Sequence, residues 1–68
     1  MTRNALIRKL SEVEQTSLEE AEIHYYSIKE LFLYPNGRRI KDIEDIKPNP
    51  NKGYVYIKLY GDEGWLEW

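Results

Sequence analysis

His24 is the only histidine in the chain, and cysteine is absent. The side chains that most often hold a metal or act as nucleophile and base are therefore nearly missing. Ser11, Ser17 and Ser27 have none of the glycine context that strains a serine into a nucleophile. Glu19 with Glu20 and Asp42 with Asp45 are carboxylate pairs, but 68 residues leave little room for a pocket that excludes water around them. All four glycines fall at turns, so no glycine-rich loop cradles a phosphate. These features predict a chain that is not an enzyme and carries no metal or cofactor.

Residues suited to binding are more plentiful. Tyr54-Val55-Tyr56-Ile57-Lys58-Leu59-Tyr60 alternates aliphatic with aromatic or basic residues. On a strand, alternate side chains share a face. Val55, Ile57 and Leu59 are expected in the core, with Tyr54, Tyr56, Lys58 and Tyr60 on the opposite face. Trp65 or Trp68 would join that face from the next strand. An aromatic row with a lysine matches the composition of protein interfaces, so Tyr54, Tyr56, Lys58, Tyr60 and Trp65 are the expected contacts for another protein. The competing expectation is a second layer over this face, with the tyrosines as core residues and their hydroxyls at the rim.

Charge marks two further patches. No lysine or arginine occurs from Leu10 to Ile28, where Glu12, Glu14, Glu19, Glu20 and Glu22 all lie. These glutamates could meet a basic partner, or could form a solvated helix face. Arg38, Arg39 and Lys41 make a basic cluster, followed by Asp42, Glu44 and Asp45. With Lys52, Lys58 and the aromatic row, they suggest single-stranded nucleic acid as a second class of partner, because bases stack on aromatic rings. The net charge of −2 and the interleaved acids count against it.

Elements must position these residues. At 68 residues, with 41% hydrophobic and 32% charged content, one small domain with a thin core is expected. Without cysteine, disulfides are excluded. No apolar run is long enough for a membrane helix, and no signal peptide is read at Met1-Thr2-Arg3-Asn4. The expected location is a cytoplasm, of a cell or of an infected host.

Leu6, Ile7, Leu10 and Val13 predict a helix over 4–14, capped by Thr2 or Asn4. Ser17-Leu18-Glu19-Glu20 has capping-box form. Leu18, Ala21, Tyr25, Ile28 and Phe32 would face the core from a second helix over roughly 17–31, with a strand over 22–28 as the alternative. Leu31 to Tyr34 and Arg38 to Ile40 read as a hairpin about Pro35-Asn36-Gly37. Ile40, Ile43 and Ile46 recur every third residue, which predicts a helical or 3₁₀ turn. Residues 54–60 and 65–68 are strands.

The run from Leu31 to Ile46, followed by Gly53-Tyr54-Val55, resembles one part of ubiquitin-like folds such as doublecortin domains. It shares their order of strand, glycine-containing turn with a basic residue, short helical turn and strand. The resemblance covers about a third of the chain, without the usual first hairpin of that fold. It implies topology and carries no function.

The expected fold is α+β: one or two N-terminal helices packed on a small three- to four-stranded antiparallel sheet. Its core would hold Leu6, Leu10, Val13, Leu31, Leu33, Ile40, Ile43, Ile46, Val55, Ile57, Leu59 and Leu66. The last strand would leave an open edge through which a homodimer could form. The function expected is a small non-catalytic regulator or inhibitor that binds another protein, of the size of phage inhibitors and antitoxins. A structural subunit of a larger assembly is a third class.

Overall fold

The computed structural model describes residues 1–35, 37–51 and 53–68. Helix α1 spans Arg3–Glu14 and helix α2 spans Leu18–Ile28. Three strands follow, β1 Ile43–Pro48, β2 Val55–Leu59 and β3 Trp65–Glu67. They form one antiparallel sheet in the order β1-β2-β3. The fold is α+β, as the sequence predicts.

Each helix starts where a short polar side chain can replace the missing backbone acceptor. Thr2 Oγ1 accepts from the Ala5 N–H at 3.1 Å, and Ser17 Oγ accepts from the Glu20 N–H at 3.2 Å. Gln15 ends α1 in the left-handed conformation, with its N–H on the Ser11 carbonyl. Leu6, Ile7 and Leu10 of α1 pack with Ala21, Tyr25 and Ile28 of α2. Leu18, expected on that face, is 58% exposed. It begins α2 one turn before the buried stripe takes hold.

Residues Leu31 to Tyr34 are not a strand. The chain leaves α2 through a π-helical turn, Lys29–Leu33, closed by the Tyr34 N–H on the Lys29 carbonyl at 2.9 Å. A π turn inserts one residue into the helical repeat. The buried position after Ile28 therefore falls on Leu33, while Phe32 is half-buried and Leu31 is 69% exposed. Leu31 leaves the expected core for this reason. The expected hairpin is also absent: Arg38 and Arg39 are not a strand, and Asn36 of its turn lies outside the described residues. Without these strands, the resemblance to ubiquitin-like folds does not extend to the structure.

The threefold spacing of isoleucines has two origins. Ile40–Asp42 is a 3₁₀ turn, as expected, but Ile43 begins a strand. The pairing of β1 with β2 slips between Ile43 and Asp45, so Glu44 is the extra residue of a β-bulge. A bulge inserts one residue into the alternation, and so Ile43 and Ile46 both face the core. Opposite them, Val55, Ile57 and Leu59 of β2 are buried. Val13, Ile40 and Leu66 pack on this core from its margin. The helices cover only one face of the sheet.

Candidate functional site

The outer face of the sheet follows from the register. Lys58 pairs across the sheet with Asp45 and Trp65, and Tyr56 pairs with Lys47 and Glu67. Tyr56, Lys58 and Trp65 thus share the face away from the helices. They are half-buried, and their polar and ring contacts come from the sheet and its turns. Lys47 Nζ lies 4.3 Å from the Trp65 ring centre and 5.6 Å from that of Tyr56. The Tyr56 hydroxyl accepts from Asn51 Nδ2 at 2.9 Å. Lys58 Nζ lies 3.4 Å from Glu44 Oε2 and donates to the Asp62 carbonyl.

The aromatic row is shorter than the alternation predicts. Tyr54 precedes β2, and its ring turns toward the helices, with centroids 4.3 Å from His24 and 5.0 Å from Trp68. Tyr60 follows β2 in a turn, is 56% exposed, and donates its N–H to the Asp42 carbonyl at 2.8 Å. The face therefore comprises Tyr56, Lys58 and Trp65, with Lys47 as a member not foreseen. Lys47 is legible only once the bulge fixes the register of β1.

Further exposed apolar side chains lie elsewhere. Ile23 (64%), Tyr26 (49%), Leu31 (69%) and Tyr34 (70%) project from α2 and the chain that follows it. Ile23 and Tyr26 are neighbours at i and i+3. Tyr26 and Tyr34 wall one cleft of about 300 Å³ with Lys29 and Glu30. The π turn leaves Leu31 outward and Leu33 buried. A strand over Leu31 to Tyr34 would place both leucines inside, so the sequence pattern hides the exposure of Leu31.

The acidic patch divides. Glu22 pairs with Arg3 at 2.9 Å. Glu12, Glu19 and Glu20 are exposed and make no ion pair among the described residues. Glu14 differs from the rest: its side chain is 3% exposed, and one oxygen meets His24 Nδ1. Burial pushes its carboxyl above the usual range, and His24 opposes that shift.

The basic cluster divides as well. Arg38 pairs with Asp62 at 3.0 Å. Arg38 and Arg39 line a cleft of about 410 Å³ with Tyr25, Leu33 and Ile40. Lys41 is exposed, and Lys52 lies outside the described residues. Two cations near the sheet's outer face are paired, Lys58 with Glu44 and Arg38 with Asp62, whereas Lys47 lies over the Trp65 ring.

Among the described residues, no cluster of His, Asp or Glu is arranged to hold a metal ion, and no helix is long and apolar enough to cross a membrane. Comparison with protein-family models, with curated proteins and with solved structures returns no match.

Proposed function

We propose that this chain is a non-catalytic protein-binding domain, acting as a small regulator or inhibitor of its partner. The observation that carries the reading is the exposed row of Ile23, Tyr26 and Tyr34, in which Tyr26 neighbours Ile23 along α2 and shares a cleft with Tyr34. Contiguous apolar surface left in water is costly unless something covers it, and tyrosine is enriched where proteins meet. The half-buried face of Tyr56, Lys58 and Trp65 offers a second contact area on the other side of the molecule. Its rings are held in place by Lys47 and Asn51, so little side-chain entropy remains to be lost on binding.

Nucleic acid is the weaker reading. Phosphate binding needs cations with charge to spare, and of the cations near the sheet's outer face Lys58 and Arg38 already face carboxylates, which leaves Lys47 over the Trp65 ring. Capture from host lysate, with and without nuclease, separates the two classes. A protein band that survives nuclease supports this proposal. Material lost on nuclease treatment would overturn it.

A further inference from the structure

The cleft between the end of α1 and the middle of α2 has a chemistry of its own. It encloses about 370 Å³ and is lined by Glu14, Thr16, Glu20, Ile23, His24 and Tyr54. Two of its side-chain oxygens, Glu14 Oε1 and Thr16 Oγ1, are buried and have no hydrogen-bond partner among the described residues. Buried acceptors are ordinarily satisfied, and an orphaned one costs stability. The other Glu14 oxygen is taken by His24 Nδ1.

The carboxylates lining the cleft favour a positive charge, against the opposing dipole of the α2 N-terminus beside Thr16. Glu14 and Thr16 lie at the C-terminal end of α1, where the helix dipole is negative, and no basic residue occupies that last turn. Glu20 adds a second carboxylate. No lysine or arginine occurs from Leu10 to Ile28 to neutralise them. One wall is the Tyr54 ring, 56% exposed and packed against His24 and Trp68. An aromatic face beside carboxylates attracts ammonium or guanidinium groups.

We infer that this cleft receives a basic side chain, lysine or arginine, from the bound protein. The cation would donate to the Glu14 carboxylate and to Thr16 Oγ1, with Glu20 at the rim and the Tyr54 ring alongside. Both oxygens are closed to solvent, so the cleft must open for a cation to reach them. The inference rests on α2 as the docking face, because Ile23 belongs both to the exposed row and to the cleft wall. It adds the partner's chemistry: a basic residue beside an apolar patch.

The test uses isolated probes, so it reads the cleft apart from the exposed row. Acetyl-arginine methylamide, acetyl-lysine methylamide and neutral acetyl-norleucine methylamide are titrated into the full chain, followed by NMR of the Glu14, Thr16, His24 and Tyr54 signals. At least one cationic probe should shift these signals saturably, and Glu14→Gln should weaken it by about tenfold or more, the loss expected for a buried charged hydrogen bond. Thr16→Val, which keeps the shape, should weaken it less. No saturable shift with either cation, equal shifts with the norleucine probe, or undiminished binding by Glu14→Gln would each overturn the inference. The exposed row could still capture a protein in any of those cases.

Discussion

His24 Nδ1 reaches one oxygen of the Glu14 carboxylate across the α1–α2 contact, and the other oxygen is buried with no partner among the described residues. Burial raises the Glu14 pKa more than His24 lowers it. A carboxyl whose folded pKa lies above its unfolded value holds its proton more tightly when folded. Its contribution to stability is therefore full below the unfolded pKa and is lost as pH rises through the folded pKa. Glu14→Gln removes that loss. At pH 7.5 the variant should be more stable than wild type, because a neutral amide is cheaper to bury than a carboxylate, and the gain should vanish near pH 3. Urea denaturation at both pH values checks this. A variant less stable than wild type at pH 7.5 would mean that the His24 contact outweighs burial.

Ile57 is fully buried and pairs across the sheet with Ile46 and Leu66. Ile57→Ala should cost about 2–5 kcal/mol. Its neighbour Tyr56 faces outward, and Tyr56→Ala loses mainly its contact with Lys47 and a hydroxyl hydrogen bond. That change should cost about 1 kcal/mol. Equal destabilisation by the two in thermal melts would contradict the one-sided sheet.

The strand alternation of β2 and the caps of both helices are legible in the sequence because each rests on local chemistry. Ser17 and Glu20 are three residues apart, and Val55, Ile57 and Leu59 alternate strictly. What the sequence hides are the two places where one residue is inserted into a repeat. At Lys29–Leu33 an apolar run fits a strand or a helix equally well, and the π turn decides which of Leu31 and Leu33 is buried. At Glu44 a bulge gives a strand a helix-like spacing of isoleucines. Both insertions bear on the candidate site: the apolar run alone puts Leu31 in the core, and without the bulge Lys47 has no place beside Trp65. Tyr54 departs for another reason. It precedes the strand, so alternation does not bind it.

The bulge yields its own prediction. Deleting Glu44 restores simple alternation and leaves Ile43 and Ile46 two residues apart on one face, so both stay in the core. The deletion should therefore cost less than the ~1.5–3 kcal/mol of one displaced isoleucine, read by thermal melting. A loss of that size or more would show that the bulge does more than set the phase of Ile43.

Gly53 packs against the neighbouring chain so closely that an added Cβ would overlap the Trp68 carbonyl oxygen and Asn49 Nδ2. Gly53→Ala should therefore destabilise by about 1–3 kcal/mol, read by thermal melting. Gly64 has open space at the same point, and Gly64→Ala should change stability by less than about 0.5 kcal/mol.

The central claim is that the outer side of α2 and the turn after it dock a protein. The direct measurement compares capture from nuclease-treated host lysate by wild type, by Tyr26→Ser/Tyr34→Ser and by Tyr56→Ala/Trp65→Ala, each first shown to be folded by thermal melting. Tyr26 and Tyr34 are exposed, so the first variant should melt within a few degrees of wild type, as surface changes of about 0.5 kcal/mol do. It should lose the captured protein, while the sheet-face variant keeps it. Undiminished capture by a folded Tyr26→Ser/Tyr34→Ser variant would contradict the claim.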